Sequence, residues 1–135
     1  MMRAMEGIAI EVHRDRPIAG AALRALFASA GWERPAGEGA LEAVLGTGPA
    51  VGAWSGDQLV GFARAVTDGR LRAYVEDVAV HERYRRRGVA TAVMRRLLDE
   101  LDEIAIVSLF CDPSLLGLYR GLGFRSTSQV VLHLR

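Results

Sequence analysis

Lysine is absent from this 135-residue chain, and all seventeen basic residues are arginine. The GxxxxGK[ST] loop of nucleotide hydrolases is thereby excluded, because its lysine reaches the terminal phosphates. Cys111 is the one cysteine, so an intramolecular disulfide framework is impossible and a reducing compartment is the expected setting. No apolar run approaches the roughly 20 residues that cross a bilayer. Met1 to Ala9 is broken by Glu6 and Gly7 before the apolar stretch of a signal peptide develops. A soluble, cytoplasmic protein with no membrane partner is expected. Three histidines and one cysteine without ligand spacing give no reason to expect a metal. An excess of charge is missing too. Seventeen basic residues oppose sixteen acidic ones for a net +1, which excludes a polycation built to coat nucleic acid.

Half of the residues are hydrophobic, enough for one core, and the length fits one domain over residues 1–135 under a prior of roughly 100–200 residues per domain. The charge is unevenly placed. Arg83, Arg85, Arg86, Arg87, Arg95 and Arg96 fall within 83–96 with no acid among them. That stretch carries +6, while the remaining eleven arginines and sixteen acids carry −5. A near-neutral total therefore hides one anion-seeking segment.

Hydrophobic periodicity orders the rest. Ile8 to Val12 reads as a strand, Ile18 to Ala30 as a helix ended by Gly31, and Gly37 to Gly46 as a second short helix. Ala50 to Trp54, Leu59 to Thr67 and Arg72 to Val80 read as strands joined at Ser55-Gly56-Asp57 and Asp68-Gly69, an antiparallel meander. Val89, Val93, Leu97 and Leu101 form the stripe of a long amphipathic helix. Ile104 to Phe110 reads as a buried strand, Pro113 to about Leu122 as a helix, and Gln129 to Leu134 as a closing strand. The order β-α-α-β-β-β-α-β-α-β predicts an α/β (α+β) fold with a mixed central sheet and flanking helices.

Arg85-Arg86-Arg87-Gly88-Val89-Ala90-Thr91 sits where a strand feeds the first turn of a helix. Free backbone N–H groups and the positive end of the helix dipole converge there, and Gly88 and Ala90 let a phosphate come close. The spacing matches [QR]-x-x-G-x-[GA], and the run Val78 to Ala90 resembles the strand, pyrophosphate loop and helix start of the GCN5-related N-acetyltransferase (GNAT) family. About thirty residues later, Asp112 to Phe124 resembles the family's second hallmark, an Asn or similar residue followed seven positions on by the tyrosine of Y-x-x-x-G-F. The resemblance covers nearly the whole chain. It implies the family's fold, with an antiparallel N-terminal meander and two parallel strands splayed apart to admit acetyl-coenzyme A as co-substrate.

Carried over residue by residue, the resemblance has the backbone of Val78, Ala79 and Val80 pair with the pantetheine arm. The backbone of Arg86, Arg87, Gly88, Val89, Ala90 and Thr91 holds the pyrophosphate, with Arg85 to Arg87 adding charge and Asp112 standing at the second hallmark. An N–H near Val78 polarises the thioester carbonyl. Tyr119 faces the coenzyme sulfur. A phenol of pKa about 10 gives its proton to a thiolate of pKa about 8.5 only uphill, by about 2 kcal/mol, so Tyr119 is expected chiefly to donate a hydrogen bond. An alkyl ammonium of pKa about 10.4 is neutral at pH 7 only about once in 2500 molecules, so a base is expected, directly or through water. Glu76 is the first choice, placed by alternation with Val78 and Val80 unless a bulge breaks the pattern. Several relatives use a glutamate on the following strand, where this chain has Val107, Ser108 and Leu109, which puts a fixed carboxylate base in doubt. His81, His13 and His133 read as surface or strand residues, and Cys111 as a small buried filler.

For the acceptor, Gly61 to Gly69 and Leu116 to Arg120 resemble the short branch that includes plant chloroplast serotonin N-acetyltransferases. That implies a small primary amine, with an arylalkylamine as the leading class, and places Phe27 and Trp32 in the acceptor wall. A protein N-terminus or lysine as acceptor, and a coenzyme-A sensor without turnover, remain alternatives. A nucleic-acid partner is not expected, because six arginines around one helix start fit a compact phosphate better than an extended strand. A homodimer through the closing strand is left open.

Overall fold

The computed structural model describes residues 5–33 and 37–135, so Met1 to Ala4 of the leader reading lie outside the described residues. Strand β1 (Ile8–Val12) is followed by helices α1 (Gly20–Ser29) and α2 (Glu38–Leu45), then by strands β2 (Ala50–Ser55), β3 (Gln58–Thr67) and β4 (Arg72–Val80). Helix α3 (Val89–Glu100), strand β5 (Ile106–Leu109) and the short helix α4 (Leu116–Gly121) complete the order. The sheet runs β1-β2-β3-β4-β5, antiparallel from β1 to β4 and parallel between β4 and β5. This is the mixed sheet with an antiparallel meander that the element order predicts, extended on its first edge by β1.

The turns follow from local chemistry. Between β3 and β4 the Asp68 Oδ1 accepts from the backbone N–H groups of Arg70, Leu71 and Arg72 at 2.8, 2.8 and 3.2 Å, a short polar side chain replacing ladder bonds where the chain reverses.

Two apolar clusters lie on opposite faces of the sheet. Under α3, Val89, Val93, Met94 and Leu97 pack against Val51, Val60, Ala63, Ala65, Ala73 and Val75. Each of the valine, methionine and leucine side chains, removed fully from water, contributes roughly 1.5–3 kcal/mol before entropic costs. On the other face Leu23, Leu26 and Phe27 of α1 and Leu41 and Leu45 of α2 cover Trp54, Leu59, Phe62 and Ala79. Gly61 allows α3 to come close, since a Cβ there would stand 2.5 Å from Val89 Cγ1 and 3.0 Å from the Ala53 Cβ.

Two expectations are corrected. β5 is shorter than predicted and lies at the sheet's edge, so Ile106 and Phe110 are 46% and 53% exposed rather than buried. Gln129 to Leu134 forms no strand. Its alternation finds no neighbouring ladder among the described residues, and Val130, Leu132 and Leu134 stand 79%, 87% and 88% exposed. An alternating pattern becomes a strand only where another strand or packed face receives it.

Candidate active site

β4 and β5 begin side by side and then part. Their register runs from Arg72 with Ile106 to Val75 with Leu109 and stops there, while β4 continues to Val80 paired with β3 alone. Beyond Leu109 the chain leaves the sheet for a single helical turn, Pro113–Leu115, and α4. A fork results, with the unpaired edge of Val78, Ala79 and Val80 on one side and Cys111, Asp112 and Tyr119 on the other.

At the root of the fork β4 carries a bulge. Arg64 pairs with Glu76 and Phe62 with Ala79, so Ala63 on β3 stands opposite both Asp77 and Val78. Asp77 takes φ 57°, a left-handed conformation that costs most L residues roughly 1–2 kcal/mol and Asp less. The bulge overturns the simple alternation that would group Glu76 with Val78 and Val80. Ala73 and Val75 belong to the cluster under α3, and beyond the bulge Val78 and Val80 do, while Ala79 turns to the opposite cluster. Glu76 is therefore out of phase with Val78, because one extra residue separates them from a common face. Arg64 Nε donates to Asp77 Oδ2 at 2.8 Å. Glu76 is half-buried and makes no hydrogen bond or ion pair among the described residues.

Past β4, the loop brings its N–H groups together. Arg86 and Gly88 have φ 63° and 84°, and left-handed residues alternating along a loop turn successive N–H groups toward one concave side. Gly88 caps α3 without a side-chain hydrogen bond, and no acid lies in the first turn of α3. The N–H groups of Val89, Ala90 and Thr91 thus lie at a positive helix terminus with arginines around it, an arrangement fitted to a diphosphate. The arginines divide. Arg85, Arg86 and Arg87 are exposed on the loop, with the Arg87 guanidinium 5.0 Å from the centre of the Tyr84 ring. Arg96 is held at 2.9 Å by Glu100, away from the loop, so the +6 stretch is not one patch.

Across the fork, Tyr119 is 6% exposed. Its ring meets Phe124 edge-on at 6.0 Å. Burial raises its phenol above the ordinary value near 10, with a smaller contribution from the Cys111 thiol, so it remains a proton carrier at physiological pH. Cys111 is half-buried against the cluster under α3. The Asp112 Oδ1 accepts from the Ser114 N–H at 2.9 Å. That bond, with help from the Ser114 hydroxyl, lowers its pKa and gives the carboxylate a capping task at the turn before α4.

Phe27 and Trp32 meet with ring centres 5.4 Å apart, and with Arg24, Ala28, Glu33 and Leu41 they line a cavity of about 330 Å³. Phe27 is at the same time a core residue, 2% exposed and edge-on to Phe62. His13 accepts from the Ile18 N–H through Nδ1 at 2.9 Å and His81 from the Arg83 N–H at 3.2 Å, both local structural bonds. His133 is exposed. Among the described residues no helix is long and apolar enough to cross a membrane, and no group of three metal-binding side chains occurs. Arg64 was not singled out by sequence reasoning. An arginine in an otherwise apolar strand, facing a two-carboxylate pair on the next one, is the signal that could have found it.

The chain is similar to known proteins. Residues 21–124 match the model of the acetyltransferase (GNAT) family. An uncharacterized N-acetyltransferase from Porphyra purpurea is 39% identical over 72 residues, covering 52% of this chain and 41% of that protein. A chloroplastic serotonin N-acetyltransferase from Oryza sativa subsp. japonica is 40% identical over 67 residues, 48% of this chain and 34% of that protein. The chain thus spans less than half the length of these relatives. A putative acetyltransferase from Deinococcus radiodurans R1 superposes with a TM-score of 0.81 at 28% identity, over 96% of this chain and 90% of that one.

Proposed function

This chain belongs to the GNAT family of acetyltransferases, and on that premise we propose that it moves the acetyl group of acetyl-coenzyme A to a small primary amine, an arylalkylamine above all, by direct attack in a ternary complex. The observation that carries the reading is the fork between β4 and β5 lying next to the left-handed loop at the start of α3. An open strand edge suits the amides of a pantetheine arm, and the loop suits a diphosphate. When bound, acetyl-coenzyme A supplies an acyl group already activated as a thioester.

Each protein group then has a limited task. The backbone of Val78 to Val80 binds the arm and donates an N–H to the acyl oxygen, worth most where charge develops. Arg86 to Thr91 hold the phosphates, and Arg85 adds charge. Glu76, free of an ion pair among the described residues, takes the proton of the incoming ammonium directly or through water. Tyr119, kept protonated by burial, donates to the departing sulfur. The cavity of Phe27 and Trp32 receives an aromatic or cationic amine. The Oryza relative's name, serotonin N-acetyltransferase, supports that acceptor class.

Thiol release from acetyl-coenzyme A tests this on a panel of arylalkylamines, polyamines, amino acids and short peptides. Arylalkylamines are expected to give the highest kcat/KM. Glu76→Gln is expected to lower kcat tenfold or more. Coenzyme binding with silence across the panel would favour a sensor instead.

A further inference from the structure

The bulge at the root of the fork needs a device to hold it. Its strained residue, Asp77, stands at φ 57° two residues past Val75, the last residue of β4 to pair with β5. A slip there by one residue would exchange the faces of Val78, Ala79 and Val80. On the fork side nothing in β5 restrains this stretch. Restraint comes from β3, which stays paired with β4 on both sides of the bulge.

Arg64 supplies it. Its Nε–H donates to Asp77 Oδ2 at 2.8 Å, and the two side chains are only 18% and 14% exposed, so the pair is shielded from salt far better than a surface pair. Arg64 lies across the register from Glu76, yet its guanidinium engages the neighbouring carboxylate. Glu76 is left without an ionic partner among the described residues.

We propose that Arg64 is a positioning residue. Its pair with Asp77 pins the β4 bulge, fixes the direction in which the backbone of Val78 to Val80 meets the acyl group, and keeps Asp77 from competing with Glu76 for the incoming amine. The role rests on the acetyltransferase reading above, since only there does the direction of that backbone matter to chemistry.

Three variants separate positioning from plain stabilisation. Arg64→Gln breaks the ion pair. Asp77→Gly removes the partner while the glycine takes the left-handed backbone without strain. Asp77→Asn keeps both the left-handed tolerance and an acceptor for the Arg64 Nε–H. Measured well below each Tm, Arg64→Gln and Asp77→Gly are expected to lower kcat on the order of 10–100-fold. Their acetyl-coenzyme A Kd should stay within about threefold, because the phosphate loop is untouched. Asp77→Asn should stay within about threefold of the parent in both. Amide hydrogen exchange of Val78 to Val80 in the unliganded protein should quicken about tenfold in the first two variants and not in the third. Unchanged exchange, or quickened exchange with unchanged kcat, overturns the proposal. A parent protein that binds acetyl-coenzyme A but acetylates no amine defeats the activity reading and the catalytic part of this one with it. The exchange comparison then still decides whether the pair pins the bulge.

Discussion

Burial pushes the Tyr119 phenol above its ordinary pKa near 10, and its hydroxyl has no hydrogen-bond partner among the described residues, which suits the proposed role of donor to a departing sulfur. Tyr119→Phe should therefore cost little stability, below about 1 kcal/mol, and leave the acetyl-coenzyme A Kd unchanged. Turnover should fall tenfold or more; steady-state kinetics with calorimetric binding checks both, and an undiminished kcat would remove the role. The same raised pKa has a stability sign. The folded state holds this proton more tightly than the unfolded chain, so the contribution is complete below about pH 10 and is lost as pH rises through the folded value. Alkaline melting curves of the parent should decline more steeply than those of Tyr119→Phe. Gly88 is a second residue whose role is conformational. No atom lies within 4 Å of a Cβ built there, but φ is 84°. Gly88→Ala is thus expected to pay backbone strain of roughly 1–2 kcal/mol without a clash and to weaken acetyl-coenzyme A binding tenfold or more, read by calorimetry.

At the scale of elements, α3 shows how a sequence pattern becomes a packed surface. The four-residue recurrence of Val89, Val93 and Leu97 is legible in the sequence, and all three are at most 1% exposed. That Gly61 exists to admit them was not legible, because the close approach joins residues nearly thirty positions apart. Gly61→Ala would force its methyl into Val89 and Ala53 and is expected to destabilise by about 1–3 kcal/mol, seen as a lower urea midpoint at constant m. The remaining elements divide by the same logic. β4 falls at the residues its composition and turns predict, Arg72–Val80, because Asp68 and the flanking turn fix it locally. The bulge inside it, and so the facing of Glu76, depends on β3. The closing strand at Gln129 to Leu134 failed because alternation names a face and not a partner.

On the scale of the whole molecule, charge is organised by contacts that the chain order conceals. Glu100 at the end of α3 binds both Arg14, before α1, and Arg96, each at 2.9 Å. The Arg14 hydrogen bond, then its charge and that of Arg96, lower the Glu100 pKa against the opposing effect of burial. Its contribution is present above the ordinary carboxylate range and lost as pH falls through the lowered folded value. Glu100→Gln should lower stability at pH 7 by about 1 kcal/mol, and the gap to the parent should close toward the acid end of a pH series of melting curves. The arginine-rich stretch is thereby split between a loop that suits phosphate and a brace that ties α3 to the first loop. Sequence alone determined the lysine-free, arginine-rich loop, the helix stripe, the meander and the two motifs of the family, since each is written in residues adjacent or periodic along the chain. Tertiary structure decided which arginines face the loop, where β4 and β5 part, that Asp77 is paired with Arg64, and that Glu76 has no ionic partner among the described residues. Those outcomes depend on strand register and on side chains brought together from distant positions, and no local pattern encodes either.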